Sequence, residues 1–368
     1  MTWYTMHVSK RKTNFILFYL IVFLLMVSCK HDPVISVKAK EVKKPTPYNL
    51  ELPKGFPPMD IPEDNPLTVE GVELGRKLFY DERLSGDNTQ SCSSCHMPEY
   101  SYADSNDFSL GIDGLKGKRS AMAIVNVGYN MASFWDGRAK TLEDQALLPV
   151  VDPLEMNATW PDVLEKLNDD QEYRNMFKKA FNVDVIDSLD VAKAIAQFER
   201  TMVSGNSKFD KFVNGELLLE PDESRGFQLF NGEGGDCRHC HGTALFMGFE
   251  MVNNGLDQTT TDNGYGDVTG DPLDMGKFRP PTLRNITLTG PYMHDGRFET
   301  LEEVIEFYNS GVHQDSPNLS IDMKKVNRTD NGGSLNLTSQ QKADLLAFLK
   351  TLTDEEFLMN KKFQDPDK

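Results

Sequence analysis

Val, Ile and Thr nowhere form period-two runs bounded by turn residues, so the pattern of apolar positions predicts little strand. Its period is helical instead. Leu301, Val304, Ile305 and Tyr308 stand at i, i+3, i+4 and i+7, the inward face of one helix. Residues 194–201 and 344–351 carry matching helical patterns, and Thr338 with Gln341 forms a capping box ahead of the second. Between such stretches run long loops rich in Gly, Pro and Asn, for instance residues 253–274. Loops of that length are uncommon in a compact domain, unless a large apolar group fills the space beside them.

The first 28 residues follow another rule. They hold no acidic residue, and Lys10-Arg11-Lys12 precedes thirteen apolar residues at 15–27. Spanning a bilayer takes about 20, so the basic flank and short apolar run read as a secretory signal. The run ends in Met26-Val27-Ser28-Cys29. That resembles a bacterial lipoprotein signal, with cleavage before Cys29 and lipid on its thiol; an ordinary signal peptide, or an anchor with a stray cysteine, is the alternative. Residues 29–62, rich in Lys and Pro without sustained apolar period, read as a flexible tether. The body is expected outside the cytoplasm, as a periplasm-facing lipoprotein held to a membrane through Cys29.

A length of 368 residues predicts about two domains, and 39% apolar residues can build their cores. A net charge of −17 argues against a nucleic-acid partner, which needs a basic face.

Four of the five cysteines occur as Cys92-Ser93-Ser94-Cys95-His96 and Cys237-Arg238-His239-Cys240-His241. Each is C-x-x-C-H, the attachment signature of c-type haem. Two thiols three apart can add to the two vinyl groups of one haem, and the adjacent histidine can bind its iron. A thioredoxin-like pair would need a βαβ setting. A zinc site of four thiolates would leave both histidines unexplained. Two haem c groups are therefore expected, with His96 and His241 as iron ligands.

The two motifs sit in a repeat. Gly75 and Phe79 before the first match Gly226 and Phe230 before the second. Trp135-Asp136-Gly137-Arg138 matches His294-Asp295-Gly296-Arg297 at an offset of 159, which also pairs Asn126 with Asn285. The fold expected is mostly α, two cytochrome c-like haem domains in tandem with long loops and little β. Their bounds are residues 63–212 and 213–368.

The copies differ where a sixth iron ligand would stand. The second offers Tyr308, and the offset puts Pro149, which cannot bind iron, at the equivalent place. This makes the His96 haem open and the His241 haem closed. Tyr308 read as a core aromatic is the alternative, with Met275, Met293 or Met323 as ligand. An open haem that splits peroxide needs a proton-moving group and a donor to the leaving oxygen. Gln145 lies one turn before Pro149, and Asp152 and Glu155 follow it, Glu155 in a turn-like segment after Pro153.

These residues resemble the bacterial di-haem cytochrome c peroxidase and MauG family. The likeness runs from about residue 67 to 352. It rests on residues 78–85, both haem motifs, Phe134-Trp135-Asp136-Gly137-Arg138, Pro153-Leu154-Glu155-Met156, residues 281–285 and residues 291–296. The resemblance implies a peroxidatic haem on the first motif and an electron-transfer haem on the second. It implies that Trp135 lies between them, and that Gln145 and Glu155 are the distal pair, Glu155 the acid–base group. It also implies a calcium ion between the domains, at Ser120, where Asn is usual, and the carbonyls of Thr289 and Pro291. Two features depart from the peroxidases of the family. No histidine stands between His96 and His239, so no distal histidine has to leave the first haem. Tyr308 takes the place of their methionine, as in MauG.

Three functions compete. The first is a peroxidase reducing hydrogen peroxide to water with electrons from a small redox protein (a cytochrome c or cupredoxin) or quinol. The second is a MauG-like oxidase that modifies a partner protein. The third is a non-enzymatic electron carrier, against which Pro149 argues. Relatives in the family are often homodimers.

Overall fold

Helices α1 (Val69–Phe79), α2 (Leu142–Val151), α3 (Trp160–Asp169), α4 (Gln171–Phe181) and α5 (Ser188–Thr201) build the first half. The second half follows with α6 (Lys208–Val213), α7 (Pro221–Asn231), α8 (Arg238–His241), α9 (Gly266–Thr269), α10 (Leu301–Glu306), α11 (Ser339–Lys350) and α12 (Glu355–Met359). This is a computed structural model that describes residues 1–2, 44–324 and 334–368. Cys29, with the signal and lipid anchor expected there, lies outside the described residues. Among the described residues extended pairing is limited to isolated bridges, and no helix is long and apolar enough to cross a membrane.

Helix ends follow local chemistry. Thr68 accepts a hydrogen bond from the Gly71 N–H at 3.0 Å and opens α1. Thr141 and Thr300, equivalent in the repeat, cap α2 and α10 in the same way. The Thr338 and Gln341 capping box opens α11 as the pattern required. Each such cap stabilises its helix by about 1 kcal/mol.

Each half is then closed by one helix crossing. A Cβ on Gly75 would stand 1.9 Å from the Ala194 carbonyl oxygen, and one on Gly226 would stand 1.9 Å from that of Asp344. The missing side chains let α1 touch α5 and α7 touch α11, with Phe198 and Phe348 fully buried at the crossings. Around these pairs lie two apolar cores. Leu74, Leu78, Val163, Phe177 and Ile195 belong to the first; Phe209, Phe230, Phe246 and Phe348 belong to the second. A third joins Phe79, Tyr102 and Phe198 to Phe357 and Phe363 near the C-terminus.

The repeat extends to backbone conformation. Asn126 and Asn285 have φ of 56° and 61°, and Phe134 and Met293 have 65° and 72°. The Asn126 and Asn285 N–H groups donate to Met202 and Leu352 at 2.9 and 3.1 Å, so each loop is tied to the end of its own closing helix.

Three details differ from the sequence reading. Residues 44–62, assigned to a flexible tether, are laid along the body. The Tyr48 N–H donates to the Leu67 carbonyl at 3.0 Å, Thr46 donates to Glu70, and the Phe56 ring lies 4.6 Å from the Arg284 guanidinium carbon. The second core starts before residue 213, because the Phe209 N–H donates to Thr351 and its ring packs on Phe227, Phe246 and Phe348. Residues 44–368 form one compact unit. Finally, the helix that carries Tyr308 does not stay α: Phe307–Gly311 is a π-helical turn.

Candidate active site with two haem-binding motifs

Each C-x-x-C-H motif folds as a single tight turn. The His96 N–H donates to the Cys92 carbonyl and the His241 N–H to the Cys237 carbonyl, both at 3.0 Å. None of these four thiols is joined to another in a disulfide. The His96 Nδ1–H donates to the Tyr102 carbonyl at 3.0 Å, and the His241 Nδ1–H to that of Phe246 at 3.1 Å. A carbonyl can only accept, so the proton sits on Nδ1 and the Nε2 lone pair is left for a metal. Tyr102 and Phe246 reach these positions with φ of 60° and 53°, one more element of the repeat. Burial lowers both imidazole pKa values, that of His241 to about 4, and so favours the neutral, ligating form.

A largely apolar cavity opens beside the second motif, lined by Cys237, Cys240 and His241, and by Leu301, Val304 and Ile305 of α10. Tyr308 lines it too, so the face foreseen for α10 is the inward one. The π-helical turn widens the helix at this residue, a distortion often found at functional sites. Asn254 Nδ2 donates to the Tyr308 hydroxyl at 3.2 Å, and Asn254 Oδ1 accepts from the Leu256 N–H, which fixes the amide's orientation. Burial pushes the phenol up to about 12, against the lowering effect of the Asn254 hydrogen bond. Met293 and Met323 line the same cavity, whereas Met275 packs against Gly266.

Whether this cavity suits a haem can be tested on Arg279. The residue lines the cavity, is 6% exposed, and among the described residues has no carboxylate partner. It donates to Asn130 Oδ1 at 3.0 Å and lies 3.3 Å from Met122 Sδ, while its Nε finds no acceptor. Burial pushes its pKa down to about 10. A buried cation without a counter-ion is costly, and the propionates of a haem in this cavity would supply one. The residues present fit the group.

Trp135 connects the halves. Its Nε1–H donates to the Ser120 carbonyl at 2.9 Å, and its carbonyl accepts from the Arg279 N–H at 2.8 Å. Ser120 and Arg279 are themselves repeat equivalents at the offset of 159. The three positions of the calcium expectation, Ser120, Thr289 and Pro291, line one cavity with Trp135. The Ser120 hydroxyl, however, donates to the Met293 carbonyl at 2.9 Å.

At the first motif, Glu155 is held by its backbone. Its N–H donates to Asp152 at 3.0 Å and its carbonyl accepts from the Ile112 N–H at 2.9 Å, while the Met156 N–H reaches back to Pro149. The segment after α2 is thereby folded over the end of that helix, as the turn-like sequence suggested. Glu155 acts electrostatically on both Cys92 and Cys95, the two thiols of the first motif. Burial first and Asp152 second push it up to about 7, against Arg138. Gln145 is half-buried on α2, one turn before Pro149. Sequence reasoning missed Arg279, Asn254 and the buried Glu199. Their only signal was that the repeat partner of Arg279 is a serine and that of Glu199 a leucine.

A family model described as di-haem cytochrome c peroxidase matches residues 69–217. Among curated relatives, the cytochrome-c peroxidase IdrP1 of Pseudomonas sp. (strain SCT) is 35% identical over 339 residues, covering 83% of this chain and 86% of that one. Methylamine utilization protein MauG of Methylophilus methylotrophus is 34% identical, covering 87% and 92%. The crystal structure of a MauG-like protein associated with microbial copper homeostasis superposes with a TM-score of 0.80 at 38% identity, covering 87% of this chain and all of that one (100%). The di-haem peroxidase BthA of Burkholderia thailandensis, at 23% identity and a TM-score of 0.69, shares the fold. With two haem-attachment turns in a helical tandem repeat and relatives of this similarity over most of its length, the chain belongs to the di-haem cytochrome c peroxidase family and is an oxidoreductase.

Proposed function

We propose that the protein reduces hydrogen peroxide to water, drawing electrons from a small redox protein or quinol. Cys92, Cys95 and His96 would hold the haem that meets peroxide; Cys237, Cys240, His241 and Tyr308 would hold the haem that stores or passes electrons. When bound, the haems supply redox-active iron. The observation that carries this reading is Glu155: a half-buried carboxyl pushed up to about 7, felt electrostatically by both thiols of the first motif and following Pro149, which offers iron no ligand. A carboxyl near neutrality can take a proton from one peroxide oxygen and return it to the other. Gln145 supplies an amide donor for the leaving oxygen. Trp135, tied to both halves, provides the aromatic bridge for electrons. Two electrons and two protons then convert one peroxide to two waters.

Steady-state peroxide reduction by the holoprotein tests this, with the Glu155→Gln variant as control. Loss of activity by about 10²–10⁴-fold with haem content unchanged is expected. Equal turnover in the two proteins would exclude Glu155 as the acid–base group.

Tyr308 and the 38% identity to a MauG-like protein favour one second reading, an oxidase acting on a partner protein. Deleting the gene should then leave a cellular protein without a covalent modification it otherwise carries. A periplasmic location, lipid on Cys29 and a calcium ion at Ser120, Thr289 and Pro291 belong to both readings. Globomycin-sensitive processing and a chelator-induced fall in thermal stability would test the last two.

A further inference from the structure

The closing helices α5 and α11 correspond at an offset of 150, which pairs Phe198 with Phe348, both at the glycine crossings. The same offset pairs Ile195 and Glu199 with Leu345 and Leu349. Leu345 and Leu349 line the cavity beside Cys237, Cys240 and His241. Glu199 therefore stands, in the first half, where a leucine faces the haem cavity of the second. It is 5% exposed, and among charged groups it acts most strongly on the Cys92 thiol.

A leucine satisfies this position in the second half, so packing does not call for an acid. A carboxyl here is costly unless it is paired or neutral. Arg200 is the cation beside it, but that guanidinium is already spent: it donates to both Glu143 oxygens at 2.7 and 2.9 Å, with Asn65 on the same carboxylate. Glu143 adds repulsion. Burial first, then Glu143, push Glu199 up to about 8 against the pull of Arg200. The pocket thus keeps this carboxyl neutral until a positive charge arrives next to it, and oxidation of a haem iron delivers one.

We propose that Glu199 is the proton site that balances charge at the first haem, keeping its proton while the iron is reduced and releasing it when the iron is oxidised. The proposal rests on reading Cys92, Cys95 and His96 as a haem site. With a haem held at Cys92, Cys95 and His96, a mediator in a titration would take up one electron from it, and Glu199 would answer with one proton. The O–H bond of Glu199 breaks, the electron pair stays on the carboxylate, and the proton passes to solvent. The charged and titratable groups facing Glu199 are Arg200 on its own helix, Glu143 on α2 and the Cys92 thiol. Glu155 acts on the same thiol, so it is the competing proton site.

Spectroelectrochemical titration of the holoprotein across the neutral pH range tests the assignment. The potential of the first haem should fall by about 59 mV per pH unit, a tenfold change in proton activity for one electron. Glu199→Gln, which keeps the shape, and Glu199→Leu, which copies the second half, should both abolish that slope and leave the second haem's unchanged. Glu155→Gln should retain it. A flat wild-type profile, a slope that survives Glu199→Gln, or a slope lost only in Glu155→Gln overturns the proposal. If neither Glu199 variant binds haem, an indicator dye decides on the wild type: no proton released per electron also overturns it. Two low-spin haems in the ferric protein would remove the open-haem reading of the function without touching this test, because the slope belongs to the haem at Cys92 whatever its sixth ligand.

Discussion

Glu155 and Arg279 show how position alone changes what a common side chain can do. Glu155 has its pKa raised by burial to about 7. Below that pH it carries its proton and cannot accept one from peroxide; above it, the carboxylate can. The bimolecular rate of peroxide with the ferric holoprotein should therefore rise with pH up to about 7 and level off, and Glu155→Gln should be slow and flat; stopped-flow absorption measures both. Arg279 carries its charge into a largely apolar cavity and, among the described residues, meets no carboxylate there. If a haem propionate completes the pair, Arg279→Leu should cost the holoprotein about 3–5 kcal/mol in denaturant unfolding, the usual effect of breaking a buried pair. Unchanged or increased stability would mean no anion sits there. The two residues also differ in legibility. The turn containing Glu155 could be read from Pro153 and its distance from Pro149. Arg279 could not, because its isolation depends on which loops close around it.

Among the elements, the two helix crossings are the most exacting. The Gly75 and Gly226 positions were legible as a repeat, but not as contacts, since nothing local shows that a backbone carbonyl stands 1.9 Å from the missing Cβ. Gly226→Ala should force α7 and α11 apart and cost about 1–3 kcal/mol, the range for overpacking a tight core; thermal unfolding of the holoprotein measures it. The caps at Thr300 and Thr338 follow from residues three apart and were within reach of the sequence. The π-helical turn at Phe307–Gly311 was not, because the i, i+3, i+4, i+7 spacing fits an α-helix equally well up to Tyr308. The docking of residues 44–62 escaped for another reason. It is made by scattered contacts, backbone hydrogen bonds, the Thr46 bonds to Glu70 and the Phe56 ring, and none of these leaves a periodic trace.

At the scale of the molecule, one unit was copied and then made unequal. Nδ1-bonded histidines, left-handed carbonyl turns and glycine crossings are common to both halves. The differences fall at matched positions of the repeat: Pro149 against Tyr308, Ser120 against Arg279, Glu199 against Leu349. Each puts proton chemistry in the first half, or a ligand and a counter-charge in the second. The repeat and both attachment motifs were plain in the sequence because their residues are adjacent. The division of labour was only half visible, because it depends on burial. The most direct test is the low-temperature EPR and electronic absorption of the ferric holoprotein, with Tyr308→Phe beside it. One high-spin and one low-spin haem, without a sulfur–iron charge-transfer band and with only the low-spin signal altered by Tyr308→Phe, is the result expected. Two low-spin haems, one carrying the sulfur band and neither sensitive to Tyr308, would contradict the asymmetric assignment.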